Sequence, residues 1–93
     1  MNIKDKTGYM PLGHQNIAPT SSTALTVPAD AKYALISASV QAVRFTDDGT
    51  VPTLTKGVRI SVEQGAFWYA GNLSQLLFFN DVAGGLIDVL YYK

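Results

Sequence analysis

Turn-forming residues recur about every ten residues along this chain, and short segments rich in β-branched and aromatic side chains lie between them. No segment keeps the 3.6-residue periodicity of a helix for more than about one turn. Regular spacing of short strands and turns is typical of all-β proteins. The sequence therefore predicts an all-β fold, a small antiparallel β-sandwich or jelly roll of about seven or eight strands.

The middle of the chain, Gln41 to Thr53, contains a strand that ends in an acidic glycine turn. Val43 and Phe45 alternate with polar residues, which predicts one apolar face. Asp48 and Gly49 follow; Gly49 accepts the positive φ of a tight turn, and Asp48 can accept a hydrogen bond from its own backbone. We expect a surface turn here.

The neighbouring segments predict further strands. Lys32 to Ser39 has two partly apolar faces, which suits a strand covered by a second sheet on one side and by a partner or an arm on the other. A bulge or a bend between sheets is expected at Ser39 to Gln41. Three valine and isoleucine residues alternate strictly with polar ones from Val58 to Glu63, which predicts a strand with one buried face. Further strands are expected over Ala24 to Val27, Ala66 to Ala70 and Leu86 to Tyr92, and a helical turn leading into a strand over Leu73 to Phe79.

The first 22 residues have no regular periodicity, so we predict an extended N-terminal arm over 1–22 and a β-sandwich domain over 23–93. Four large apolar residues in this arm are candidate anchors on a partner: Tyr9, Met10, Leu12 and Ile17. An alternative is a short edge strand from about His14 to Ala18, stopped by Pro19 and packed on its own domain.

Composition limits the classes of partner. The net charge is zero, with 47% hydrophobic and only 15% charged residues. A neutral chain provides no long-range field for nucleic acid or for an anionic membrane, so neither is expected as a partner. Cysteine is absent, which excludes disulfides and thiolate metal sites. No apolar run has the length of a signal peptide or a membrane span, and we expect synthesis in the cytoplasm.

Reaction chemistry is not indicated. His14 has no second histidine or cysteine with which to form a metal cluster, and we interpret it as a loop residue. Asp47 and Asp48 are adjacent, so their side chains diverge instead of converging as a catalytic pair. We therefore predict no enzyme activity, no catalytic residue, no cofactor and no metal. Arg44 is expected to pair across the surface with an acid such as Asp47, Glu63 or Asp88, or to bind a partner.

The aromatic residues Trp68 and Tyr92 are candidate partner-binding residues, because aromatic side chains are enriched in interfaces. The group from Phe67 to Tyr69, together with Tyr91 and Tyr92, could also stack a sugar or a base. Consecutive aromatic residues in a strand divide between its two faces, so about half of them are expected in the core.

Several motifs together resemble those of small virion structural proteins of tailed bacteriophages and prophages. They are a strand stopped by Pro28, an Arg44 strand with the turn Asp47 to Thr50, Gly71 to Ser74, and a last strand from Val89 to Lys93. The resemblance covers residues 8 to 93, and its motifs are turns and strands. One departure is Asp30, where the family usually has glycine.

The resemblance implies a capsid decoration or cement protein on the capsid surface of the virion. It would bind the major capsid protein and also itself, as a homo-oligomer in which a trimer is preferred over a dimer. A tail, collar or fibre-attachment component is the alternative within the virion. A carbohydrate-binding β-sandwich module that uses Trp68 is the alternative outside that class.

Overall fold

The computed structural model describes residues 9–20, 22–81 and 83–93. Eight strands and two short 3-10 turns form there, with no α-helix in the described residues. In chain order the strands are β1 (Pro11–Ile17), β2 (Thr23–Ala24), β3 (Tyr33–Ser39), β4 (Val43–Thr46), β5 (Val58–Ile60), β6 (Phe67–Ala70), β7 (Leu77–Asn80) and β8 (Leu86–Tyr92). The 3-10 turns are Val62–Gln64 and Leu73–Gln75. The predicted all-β class is confirmed.

The strands form two four-stranded antiparallel sheets. Sheet 1 has the order β1-β8-β3-β6, and sheet 2 has the order β2-β7-β4-β5. The first strand pairs with the last, the third with the sixth, the second with the seventh and the fourth with the fifth. Pairs β3 with β8 and β4 with β7 join these ribbons into sheets. The chain thus behaves as one long antiparallel ribbon folded over itself.

Alternating side chains of the two sheets meet to form the core. On β3, Ala34, Ile36 and Ala38 are buried, and on β8, Ile87, Val89 and Tyr91 are buried. Sheet 2 contributes Val43, Ile60 and Phe78, all fully buried. Because side chains alternate along a strand, the other residues of β3 and β8 point to the outer surface of sheet 1.

The chain passes from sheet 1 to sheet 2 at Val40, where the bend between sheets was predicted. Val40 has φ of 72°, and the Gln41 amide donates to the Ser39 carbonyl over 2.9 Å. This is a γ-turn with a positive φ at its centre, a rare and strained turn. This sharp turn allows β4 to begin in the second sheet with only three residues between it and β3.

The acidic turn after β4 also forms as predicted. Gly49 has φ of 84°, and the Asp48 carboxylate accepts a hydrogen bond from the Thr50 amide over 2.9 Å. The Thr46 hydroxyl donates to the Thr50 carbonyl and closes the turn. The Thr50 amide holds the pKa of Asp48 below its usual range, because its hydrogen bond favours the ionised carboxylate.

Two predicted strands are shorter than expected. The strand from Val58 to Glu63 was predicted to bury Val58, Ile60 and Val62, but only Ile60 is buried, and that prediction is wrong for the two valines. β5 ends at Ile60 because the Ser61 amide donates to the Gln64 side chain over 2.9 Å, which starts a 3-10 turn. The strand expected over Ala24 to Val27 is reduced to Thr23–Ala24.

The Gln15 side chain explains the early end of β2. Its Oε1 accepts a hydrogen bond from the Thr26 amide over 3.0 Å and another from the buried Tyr91 hydroxyl over 2.7 Å. Because the Thr26 amide donates to this side chain, it does not continue the hydrogen bonding of β2, which ends at Ala24. Gln15 thus connects β1, β8 and the segment after β2 through one oxygen atom.

Part of the predicted N-terminal arm lies in sheet 1. Pro11–Ile17 pairs with β8, which corresponds to the edge-strand alternative, with its boundaries shifted toward the N-terminus. Pro11 pairs with Tyr92 and Gly13 with the next residue, Tyr91, so Leu12 is an extra residue in β1, as in a β-bulge. Residues 1–8 lie outside the described part of the chain, and the division at residue 22 stays a prediction.

Candidate interaction surface

The outer surface of sheet 1 carries three of the seven partner-binding candidates, Tyr9, Trp68 and Tyr92. In one row across the sheet, His14 lies opposite Leu90, Leu90 opposite Leu35, and Leu35 opposite Trp68. In a neighbouring row Tyr92 lies opposite Tyr33. We call the outward side chains of these two rows the outer apolar face: His14, Tyr33, Leu35, Trp68, Leu90 and Tyr92. Tyr92 points to this side of the sheet but is only 4% exposed, so the other five residues form the accessible part of the face.

Four aromatic rings form a ridge along one end of this face. The Tyr9 ring stacks on Trp68 with centroids 5.5 Å apart and meets Tyr33 edge-on at 5.0 Å. Trp68 also contacts Tyr92 at 5.1 Å. Aromatic pairs at these distances and angles contribute about 0.5–1.5 kcal/mol each beyond the area they bury. We call Tyr9, Tyr33, Trp68 and Tyr92 the aromatic ridge.

A shallow hollow of about 270 Å³ lies beside the ridge. Leu35, Leu90 and Ala66 contribute apolar walls, and His14, Ser37 and Asp88 lie among its polar lining residues. The Asp88 carboxylate already accepts hydrogen bonds from Asn16 and from the Ser39 hydroxyl. Small-molecule pockets usually have about 300–1,000 Å³. This hollow is therefore of the size that takes one or two side chains of a protein.

Leu90 is the most exposed leucine of the outer apolar face. Its exposed fraction is 41%, although it lies on β8, an inner strand of the sheet, between buried Val89 and Tyr91. An exposed leucine in the middle of a sheet marks a surface suited to contact with another molecule when apolar neighbours surround it.

The structure brings together three of the seven predicted site residues. Tyr9, Trp68 and Tyr92 meet in the aromatic ridge. Met10 is exposed next to them, with its backbone bonded to Lys93 in both directions. Leu12 and Ile17 are half-buried against the core of their own domain. Arg44 belongs to sheet 2 and lies apart from this face.

Sequence reasoning did not select Tyr33, Leu35 or Leu90. The available signals were the alternation of side chains along β3 and along β8. This alternation predicts that Tyr33, Leu35 and Leu90 face away from the core. It does not predict that they lie next to one another, because that follows from the strand order β1-β8-β3-β6.

Arg44 pairs with an aspartate that was not among its predicted partners. Its Nε lies 2.8 Å from Asp81, and Nε of Arg59, directly opposite on β5, lies 2.9 Å from the other oxygen of that carboxylate. The predicted pairing of Arg44 with an acidic residue is therefore found, but the acid is Asp81 and none of the three examples given. Hydrogen bonds from Arg59 and then Arg44 hold the pKa of Asp81 below its usual range. Asp81 follows β7 and offsets two like charges that would otherwise face each other.

Asp47 instead accepts a hydrogen bond from the Tyr69 hydroxyl over 2.9 Å. The pKa of Tyr69 is raised by burial and then by this contact, because a nearby carboxylate disfavours the phenolate. The bond attaches the acidic turn to β6 and gives Asp47 a structural role.

The ring of Tyr9 covers part of the Trp68 ring, which reduces the surface of Trp68 on which a sugar could stack.

A second group of exposed apolar residues lies along the segment from 51 to 62. Val51, Leu54, Val58 and Val62 are each more than two fifths exposed.

Among the described residues, no group of three or more histidine, cysteine, aspartate or glutamate side chains could hold a metal ion. The same part of the chain has no helix long and apolar enough to span a membrane.

Comparisons with protein-family models, with curated proteins and with solved structures find no match for this chain.

Proposed function

We propose that this protein is a non-enzymatic structural component of a tailed-bacteriophage virion, a capsid decoration protein that associates with itself and braces major capsid proteins. The observation that carries the proposal is the exposure of large apolar side chains on two separate surfaces of a small neutral domain. One surface is available for self-association and the other for the shell.

The first surface is the outer apolar face of sheet 1 with Leu90 at its middle, and the second is the segment from 51 to 62. Covering the remaining exposed half of such a leucine or valine side chain contributes about 1 kcal/mol. Few charged residues compete for these positions, and the core of a protein interface is also poor in charge. A decoration protein needs only a modest contribution from each copy, because the shell presents many equivalent sites.

We also propose that the sandwich is a jelly roll. The sheet orders β1-β8-β3-β6 and β2-β7-β4-β5 support this, since folding one long antiparallel ribbon over itself produces both orders at once. Jelly rolls occur in viral capsid proteins and also in lectins, so this fold class is compatible with the proposal without requiring it.

The glycine that the resembled family usually has at position 30 agrees with the conformation found there. Asp30 has φ of 69°, a region in which glycine is favoured and aspartate is tolerated. A glycine at this position could adopt the same backbone conformation without strain. This agreement supports the resemblance at a residue where the sequences differ.

Mass spectrometry of purified particles tests the proposal. We expect a copy number comparable to that of the major capsid protein, because a decoration protein occupies repeated sites. A few copies per particle would favour the alternative of a tail, collar or fibre-attachment component. Absence from the particle would contradict both.

A substitution in the second surface tests how the protein attaches. Leu54 is 59% exposed, so Leu54→Asp should leave the fold intact and lower the occupancy of stripped particles at least about tenfold. Ala29→Asp, at an exposed residue before β3, is the charge-matched control and should bind normally. Equal occupancy for both variants would exclude the segment from 51 to 62 as the shell contact.

A further inference from the structure

We infer that the hollow on the outer surface of sheet 1 binds a basic side chain, a lysine or an arginine, presented by a partner protein. The aliphatic stem of that side chain would lie on Leu35 and Leu90, and its cationic end would reach the Asp88 carboxylate. This inference goes beyond the proposed function, because it assigns a ligand class to the hollow and does not depend on the assembly to which the protein belongs.

Small side chains create the hollow. Along β3, Ser37 follows Leu35 on the outward side, and it lies opposite Asp88 just as Leu35 lies opposite Leu90. Ala66, immediately before β6, also lines the hollow. Serine and alanine fill less space than the leucines of the neighbouring row, so the surface is lower there. The resulting volume of about 270 Å³ suits one long side chain better than a metabolite.

The Asp88 carboxylate gives the hollow its charge. Its two oxygens accept hydrogen bonds from the Asn16 amide and the Ser39 hydroxyl, and both donors are neutral. An ionised carboxylate has about four acceptor positions, so room remains for a further donor. In the described part of the chain, no lysine or arginine forms an ion pair with Asp88. This half-buried negative charge therefore favours a cation supplied by another molecule.

The apolar walls of the hollow select a cation that has a hydrocarbon stem. Leu35 and Leu90 line it, and Leu90 is 41% exposed. Lysine and arginine cover apolar surface with their methylene stems while the charged end reaches a polar group. An apolar side chain would cover Asp88 without pairing its charge, and an acidic side chain would be repelled by it. Charge complementarity therefore favours a basic side chain over both.

An NMR titration with single-residue probes tests the inference. N-acetyl-lysine amide and N-acetyl-arginine amide should shift the backbone amide signals of Ser37, Asp88 and Leu90, with dissociation constants of about 1–10 mM. N-acetyl-norleucine amide has an unbranched stem without the charge and should bind at least about fivefold more weakly. Raising the NaCl concentration from about 50 to 500 mM should weaken binding of the two charged probes only.

The variant Asp88→Asn separates the charge of the hollow from its shape. Asparagine keeps the size and one acceptor oxygen, so the lysine probe should bind at least about tenfold more weakly and the norleucine probe within about twofold of wild type. Asp30→Asn, at an exposed turn residue before β3, makes the same change in net charge and should bind like the wild type. Ser37→Leu fills the hollow and should abolish binding of all probes. Circular dichroism melts show whether each variant is folded.

Three results would overturn the inference. They are equal binding of the lysine and norleucine probes, unchanged lysine binding by Asp88→Asn, and no shift at probe concentrations up to about 100 mM. Shifts confined to Tyr33 and Trp68 would place the cation on the aromatic ridge and would also overturn it. The titration uses no particle, so this inference and the virion proposal can each fail while the other holds.

Discussion

Val40 is the most strained residue in the described chain. Its side chain is β-branched and 64% exposed, yet its φ is 72°. Valine at positive φ is a true outlier, because its branched Cβ crowds the backbone. The surrounding strands impose this conformation, since β3 and β4 belong to different sheets and almost adjoin in sequence.

Val40→Gly should therefore raise the free energy of unfolding by about 0.5–1 kcal/mol. Relief of the left-handed strain contributes about 1–2 kcal/mol, and the greater freedom of glycine in the unfolded chain removes part of this. Urea denaturation measures the difference. Val58→Gly, in the extended backbone of β5, is the control and should lower stability. A destabilised Val40→Gly variant would mean that the valine side chain makes a contact worth more than the strain.

Tyr91 should make the fold sensitive to alkali. Burial raises the pKa of its hydroxyl to about 12, and the neutral hydroxyl donates to Gln15. In the unfolded chain this group titrates near pH 10. Its stabilising contribution is therefore complete below about pH 10 and is lost as the pH rises toward 12.

Melting temperatures measured from pH 8 to about pH 12 check this. Tyr91→Phe should flatten the decline above pH 10, with a remaining slope from Tyr69, whose pKa is also raised. An equally steep decline in Tyr91→Phe would contradict the assignment of this sensitivity to Tyr91.

At the scale of elements, the sequence predicts strands best where turn chemistry and alternation agree. The Asp48 and Gly49 turn and the 3-10 turn before β7 could be predicted because local residues determine them. The end of β5 was missed although it is also local: the Gln64 side chain accepts a hydrogen bond from the Ser61 amide, and the alternation from Val58 to Val62 concealed this capping pattern. The Arg44 partner was also missed, because Asp81 reaches it only through the pairing of β4 with β7.

The first strand supplies a prediction about truncation. Removing residues 1–19 deletes β1, exposes the edge of β8 and leaves the buried Tyr91 hydroxyl without Gln15, so we expect loss of at least about 3 kcal/mol and aggregation. Removing residues 1–8 retains β1 and should preserve the melting temperature within a few degrees. Differential scanning calorimetry compares the two. A stable, monomeric 20–93 fragment would show that β1 is dispensable and would favour the arm interpretation.

At the scale of the whole molecule, the first and the last strands pair with each other and so close the fold. β1 and β8 pair along most of their length, and Met10 and Lys93 exchange two backbone hydrogen bonds of 3.1 and 3.0 Å. The aromatic ridge depends on this closure, because Tyr9 precedes β1 and lies on rings from β3 and β6. Sequence reasoning selected Tyr9, Trp68 and Tyr92 separately as candidate partner-binding residues. Their meeting could not be predicted without the strand order, which pairs residues far apart in the chain.

This closure predicts the effect of a circular permutation on folding. Joining Lys93 to Tyr9 by a short glycine linker and opening the chain at Ala83 and Gly84 makes β8 and β1 a local hairpin. β7 and β8 belong to different sheets, so opening the chain between them removes no strand pairing.

Long-range pairing slows the folding of β proteins, because loop closure must precede the contacts that reward it. The permuted chain should therefore fold about tenfold faster while its unfolding rate changes little. Stopped-flow fluorescence of the single tryptophan, Trp68, follows both rates from within the aromatic ridge. If only the unfolding rate changes, β1 pairs with β8 after the rate-limiting step, and the ridge is then the last part of the molecule to form.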